Sequence, residues 1–514
     1  MGGHCLQVTA GPRVVPRGGI ISFVCGASCA KDRRCPPIAF TATIHSMTDT
    51  VSLEKPWWRS LNRYHWFVFA MASLAWLFDC LDQQLFIVAR NSAMKALHPV
   101  GTDPSVLKAA GGMATMWFVI GWAVGGLVFG AVGDRIGRAR TLAVTVLIYS
   151  VFTGLSAFAK TPAMFDFFRF LTGLGVGGVF GLSVALVADA LPDAARPHAL
   201  GLLQALSAVG NVMAGSIAIT VGWLETWKIA PGSAWSWMFL IGALPAFLCV
   251  FIQLRLKEPE KWVKAREAGK LTGVKFGSYT ALLGDRRWRG RAVVGMILCI
   301  AGVVGLWGIG FFSPELVGDV LGRALREENV PKEQIPGRTL MWMGTNMIIQ
   351  NLGAFAGMLV FTKYAARFGR KAVFAVGYVC AMLATLLFFR FFDDRGDLWM
   401  SGVMGFFQLA LFAGFAIYLP ELFPTSLRST GTSFCYNVGR FIAASGPFTL
   451  GKLQAVLGEK AMAALPATAD AAMKTEAKLQ AFRDAASWMS LVFLVGLIAL
   501  PFAPETKGQP LPEE

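Results

Sequence analysis

Apolar runs of about 20 residues, the length at which an α-helix crosses the hydrocarbon of a bilayer, recur twelve times along this 514-residue chain. They lie near 66–88, 111–132, 141–159, 163–188, 199–223 and 234–254 and, after a polar stretch, near 291–313, 341–361, 372–389, 398–419, 430–451 and 486–503. A run of this length with few charges reads as a transmembrane helix, where Leu, Phe and Val can face lipid. An all-α membrane protein with twelve transmembrane helices is expected. Composition agrees, because 15% of the residues are charged against roughly 25% in an average soluble domain, which excludes an ordinary water-soluble enzyme.

The formal net charge is +16, and where the bases lie decides what that means. They fall between the apolar runs. The link at 255–290 carries Arg255, Lys257, Lys261, Lys264, Arg266, Lys270, Lys275, Arg286, Arg287 and Arg289 against Glu258, Glu260, Glu267 and Asp285, and such basic links mark the cytoplasmic side. Alternating from it puts GDRIGRAR (133–140), KYAARFGRK (363–371) and both termini on the cytoplasmic side of a cell membrane. The bases then set topology, and no nucleic-acid partner is expected.

The two sets of six runs are copies. Arg135, Gly137 and Arg138 recur as Arg367, Gly369 and Arg370, and Asp189 and Arg196 recur as Glu421 and Arg428, every pair at the same offset, 367 − 135 = 232. Two separate loops in one register indicate a tandem duplication: a six-helix bundle over 57–254, a basic linker over 255–290, a second bundle over 291–503 and a tail over 504–514. Repeats of this kind build a substrate site near the membrane mid-plane between halves that rock about it. Transport of a small molecule is the function implied.

GDRIGRAR, RFLTGLGVGG (169–178), PELFPTSLRSTG (420–431) and PETKG (504–508) resemble the loop and helix signatures of the major facilitator superfamily, over about 57–508. FDCLD (78–82) and NVGRFIAASGP (437–447) are similar to its aromatic-acid and sialate proton symporters, while PETKG, RFLTGLGVGG and KEPEKW (257–262) also resemble its sugar porters. The resemblance implies a cytoplasmic gate of Gly133, Asp134, Arg135, Gly137, Arg138, Arg367, Gly369, Arg370, Asp189, Arg196, Glu421 and Arg428, with Asp134 and Arg138 holding the outward-facing state. The alternative for these loops is a set of tight basic turns that only fix topology. It also implies a coupling role for Arg169 and a place in the substrate region for Arg440.

Asp79 and Asp82 lie one helical turn apart in the first run, so roughly on one face. An ionised carboxylate in hydrocarbon costs several kcal/mol, so both are expected to face a central cavity, where one carries the coupled proton; the alternative is structural pairing with Arg90 or another cation. All five His (His4, His45, His65, His98, His198) lie outside the mid-membrane regions, so carboxylates must carry any proton. Arg169 and Arg440 either clamp a substrate carboxylate with a planar fork or pair with Asp79, Asp82 or Asp166. Tyr436, Asn437, Gln350 and Gln408 are polar groups at membrane depth and candidate substrate contacts beside Arg440, and Asn211 and Asn351 suit helix-to-helix hydrogen bonds.

Gly173, Gly175, Gly177 and Gly178 lie in an apolar helix with no preceding strand, so they pack helices and do not cradle phosphate. Walker A, HExxH and GxSxG patterns are absent, and no enzymatic activity, cofactor or metal is expected. Residues 1–46 hold Cys5, Cys25, Cys29 and Cys35 without amphipathic period; Met47 is the expected start, and 1–56 an extension without fixed structure. The expectation is a monomeric secondary transporter that takes up a small organic anion (an aromatic acid, monocarboxylate or sialate) with protons by alternating access. A sugar or polyol porter is the alternative.

Overall fold

The computed structural model describes residues 56–226, 234–243, 255–444, 446–466 and 470–513. The expectations for the first 55 residues and for the end of the sixth run lie outside them. The first half contains α1 (Arg63–Leu97), α2 (Pro104–Ile136), α3 (Arg138–Ser156), α4 (Pro162–Ala190), α5 (Arg196–Thr226) and α6 (Ala234–Gly242). Two linker helices follow, α7 (Glu260–Thr272) and α8 (Tyr279–Gly284). The second half contains α9 (Arg286–Val303), α10 (Ser313–Glu327), α11 (Ile335–Phe368), α12 (Arg370–Phe391), α13 (Leu398–Glu421), α14 (Arg428–Ala444), α15 (Gly446–Ala463), α16 (Ala471–Met489) and α17 (Phe493–Ala499).

Nine of the described helices are long and apolar enough to cross a bilayer. The other three expected spans fall on α6 and α14, which adjoin residues outside the described set, and on α11, whose apolar character is diluted by Asn346, Gln350 and Asn351. Local chemistry sets several boundaries. Asn62 caps α1 by accepting the His65 N–H at 2.7 Å, and Thr161 caps α4 with Pro162 at its first position. Gly137 and Gly369 join α2 to α3 and α11 to α12 with φ of +132° and +95°, a region that other residues enter only under strain.

The seventh run differs from the single helix expected. Beyond α9 the chain passes through a π-helical stretch, Val304–Ile309, and a 3-10 turn, Gly310–Phe312, before α10 resumes. Such breaks leave backbone groups at membrane depth only where protein or a cavity covers them.

The duplication is visible in the packing. α5 packs on α11 and α14 packs on α2; adding 232 turns α5 into α14 and α2 into α11, so each contact is the other's image under a two-fold exchange. Within the halves, a Cβ on Gly121 or Gly125 would strike the backbone of Phe170 or Leu174, and one on Gly353 or Gly357 that of Gly402 or Phe406. Those are the same positions 232 residues on. Gly173 and Gly177 likewise meet the backbone of Phe118 and Trp122, so these glycines pack α4 on α2 as expected.

Candidate functional site

A cavity of about 430 Å³ lies between the halves. The first half contributes Trp76, Cys80, Gln83 and Gln84 from α1, Trp122 from α2, and Gln204, Ser207 and Asn211 from α5; the second contributes Trp307, Gln350, Asn351, Tyr436 and Arg440. The lining continues to Arg326, Ile335 and Pro336 at the ends of α10 and α11, away from the 133–140 loop.

Arg440 is the cation in the deep wall. Its Cζ lies 3.4 Å from the Trp122 ring centroid and 4.4 Å from that of Tyr436, and its Nη1–H donates to Asn437 Oδ1 at 3.4 Å. Two aromatic faces and an amide thus orient a planar donor fork in the cavity wall, able to make charge-assisted hydrogen bonds. Tyr436 in turn stacks on Phe180 at 3.9 Å, and Trp122 meets Trp307 edge-on at 5.2 Å. Across the halves, Asn211 Nδ2–H donates to Asn351 Oδ1 at 2.8 Å.

The expected substrate residues separate. Arg440, Tyr436 and Gln350 line the cavity; Asn437 stands behind, donating to the Ser433 carbonyl at 2.9 Å and steadying Arg440. Gln408 is not among the lining residues: its Nε2–H donates to Thr385 Oγ1 at 2.6 Å, where α13 packs on α12. Trp122, Trp76 and Trp307 were not anticipated, since a Trp in an apolar run gives no sign of its partner until helices cross.

Asp79 and Asp82 do not face the cavity as expected. At about 100° per residue, the cavity face of α1 is Trp76, Cys80, Gln83, Gln84 and Ile87, and the two acids turn aside, both fully buried. Their four oxygens accept no well-formed hydrogen bond among the described residues. Asp82 lies beside Thr153 and Arg169, and a Cβ on Gly242 would come within 2.9 Å of it; Asp79 lies beside Gln83 and within electrostatic reach of Arg440. Arg169 also lies outside the cavity. It donates to Ser156 Oγ at 2.7 and 3.1 Å and to Thr172 Oγ1 at 3.1 Å, and the rings of Phe239, Phe86 and Phe165 surround it at 4.8–5.8 Å. Arg90 pairs with neither acid; it donates to Thr115 Oγ1 at 2.8 Å.

At the other end of the cavity, charged residues knit the halves together. Arg138 pairs with Asp134 at 3.2 Å and with Asp189, and donates to the Thr425 carbonyl of the facing half at 2.8 Å. Arg428 also pairs with Asp189. Asp134 occupies the last turn of α2 and accepts the N–H groups of Ser429 and Thr430 at 3.2 and 2.7 Å and the Thr430 hydroxyl at 2.7 Å. The dipole it meets is that of α14. Arg135 and Arg367 stay outside this network, the first donating to the Phe276 carbonyl at 3.3 Å and the second lying over Phe368.

The copied loop matches in part. Arg370 pairs with Glu421 at 2.8 Å, and Arg428 Nε–H reaches the Pro420 carbonyl just as Arg196 Nε–H reaches Ala188, 232 positions earlier. Arg196 also pairs with Asp193. Ala366, however, stands 232 positions after Asp134, and Pro197, 232 before Ser429, has no N–H to offer.

Two further acids at this end of the molecule cap helices. Glu258 accepts the N–H groups of Arg138, Ala139 and Arg140 at 2.7–3.2 Å, and Glu505 those of Arg370 and Lys371 at 2.9 and 3.1 Å, so each caps the third helix of its half. Burial pushes the Glu505 carboxyl up, but the N–H groups of Arg370, Lys371, Lys507 and Thr506 outweigh it and hold it below the usual range. Their signal was a Glu beside a Pro in KEPEKW and PETKG.

A helical bundle duplicated around a central cavity is matched over residues 69–451 by the family model described as Major Facilitator Superfamily. The chain belongs to the major facilitator superfamily. It is a membrane transporter and not an enzyme, with the twelve-helix, two-half architecture of that family. Among relatives, a cis,cis-muconate transport protein of Acinetobacter baylyi is 27% identical over 387 residues, 75% of this chain and 86% of the relative. A gentisate transporter of Corynebacterium glutamicum is 26% identical, over 75% of this chain and 81% of the relative. In fold this major facilitator resembles the proton:xylose symporter XylE bound to 6-bromo-6-deoxy-D-glucose, with a TM-score of 0.65, 17% identity and coverage of 87% of this chain and 98% of that one.

Proposed function

We propose that this major facilitator imports a small organic anion, an unsaturated or aromatic carboxylate, together with protons by alternating access. The observation that carries the reading is the Arg440 fork held between Trp122 and Tyr436 in the cavity wall: cation to grip a carboxylate, rings to cover the flat body behind it. The muconate and gentisate transport described for two relatives supports it. Asp82, sealed from water beside Arg169, is the coupling carboxylate, because it can exchange a proton for an electrostatic partner as the halves rock. Asp79 balances Arg440 until substrate arrives. The cluster around Asp134, Arg138, Asp189 and Arg428 is the gate, on the cytoplasmic side, and its closure leaves the cavity open outward.

Uptake into proteoliposomes, across labelled aromatic acids, monocarboxylates, sialate and hexoses, with and without an imposed pH gradient, tests it. Saturable uptake of a carboxylate driven by inward protons is expected. Saturable hexose uptake with no response to carboxylates would instead assign the amide wall of Gln83, Gln204 and Asn211 to sugar hydroxyls.

A further inference from the structure

We infer that the groove between α3 and the linker helix α7 binds the headgroup of an anionic phospholipid. Its walls include Ile136, Arg140, Lys257, Glu258, Trp262 and Arg266. The ion pairs of this region join Lys261 to Asp193, Lys264 to Glu260 and Arg196 to Asp193, and none takes up Arg140, Lys257 or Arg266 among the described residues. Glu258 is the one acid in the groove, and its oxygens already accept three backbone N–H groups. The groove therefore presents three bases against one carboxylate whose oxygens are already engaged, an excess of positive charge.

What lies beside it decides the ligand. From Arg140, the outward positions of α3 are Val144, Leu147, Val151 and Leu155, each 39–48% exposed and spaced by three or four residues on one helix face. They form an apolar track along a membrane span whose first residue is Arg138. Ile136, half exposed, extends the track at the headgroup level, and Trp262, buried beneath the groove, carries Arg266 at 5.0 Å over its ring. An inorganic phosphate would use the bases and leave the track idle, whereas a phospholipid uses both.

The groove is joined to the gate, and this step rests on the gate reading above. Trp262 Nε1–H donates to the Asp134 carbonyl at 3.0 Å, and Glu258 caps α3 at Arg138. A headgroup seated on Lys257 and Arg266 holds the linker against the closed gate and favours the state open on the other side.

Native mass spectrometry of the full chain in mild detergent tests binding. Phosphatidylglycerol should be retained over phosphatidylcholine, and Arg140→Gln/Lys257→Gln/Arg266→Gln should lower that retention by about tenfold or more. Leu147→Trp, which obstructs the track and leaves every charge in place, should lower it too. The equal-charge control Arg286→Gln/Arg287→Gln/Arg289→Gln should not. Undiminished retention in the groove variant, equal loss in the control, or displacement by inorganic phosphate would overturn the lipid site. Coupling is read separately in vesicles, on protein whose only cysteine is the cavity residue Cys80. Phosphatidylglycerol should raise labelling from the open side in the parent, and Trp262→Phe should retain the lipid and lose that rise. Labelling indifferent to phosphatidylglycerol in the parent would overturn the coupling, and the uptake assay stays independent of either result.

Discussion

Arg440, the proposed binding group, shows how packing orients a charged side chain at membrane depth. Its charge was legible in the sequence, because a guanidinium within an apolar run must have a purpose. Its orientation was not, because Trp122 is more than 300 residues away along the chain and only the packing of α14 on α2 brings the two together. Arg440→Lys keeps the charge and loses both the fork and the flat stacking surface, so carboxylate binding to purified protein should weaken by about 1–3 kcal/mol, measured by titration calorimetry with helicity unchanged. Asp79 and Asp82 show the opposite limit. Periodicity placed them together, yet only the three-dimensional packing separates their partners, Arg440 for one and Arg169 for the other. Asp82→Asn should abolish accumulation driven by a pH gradient while counterflow exchange survives, since exchange needs rocking but no net proton release. Normal accumulation in that variant would remove Asp82 from the coupling role.

At the scale of the element, spans were readable because burial in lipid imposes a length, whereas the caps from Asn62 and Thr161 emerge only with the helices they start. The break at 304–312 was not readable either, since an apolar sequence with glycines suits a straight helix equally well, and what differs is the packing of Gly305 against Phe493 and Gly310 against Gln408. The helical caps from Glu258 and Glu505 were equally hidden, because each acid lies far in sequence from the helix it serves. Glu505 makes a pH prediction. Its carboxyl is held below the usual range in the folded protein, so its contribution to stability is complete above the unfolded value of about 4.3 and is lost as the pH falls through the depressed folded value. The Tm gap between the parent and Glu505→Gln should therefore be constant above about pH 5 and close below about pH 4, as followed by thermal unfolding in detergent.

For the whole molecule, the 232-residue offset was legible and predicted two related bundles; the structure adds that the two-fold exchange extends to individual glycine contacts and to the carbonyls that receive Arg196 and Arg428. Asp134→Asn should weaken the proposed gate by about 1–3 kcal/mol and shift the population toward opening on the gate side, so Cys80 should label less from the far side and more from the gate side. Labelling unchanged from both sides would show that the cluster does not govern opening.

The duplication stops short at one place, where Ala366 and Pro197 occupy the positions that would mirror Asp134 and Ser429. The consequence is kinetic. Both copies of the loop lie on the same side of the membrane, so the Asp134 fastening acts at one face alone. An apparent dissociation constant is the intrinsic one divided by the fraction of carrier ready to bind, and as the proposed gate this fastening would make the half-saturation concentrations unequal at the two membrane faces, lower on the face away from Asp134. Without a gradient the quotient of maximal rate and half-saturation must still be equal in both directions, so the face that binds more tightly must also have the lower maximal rate. A latch fastened at one face only would thus give the carrier different working concentration ranges on its two sides.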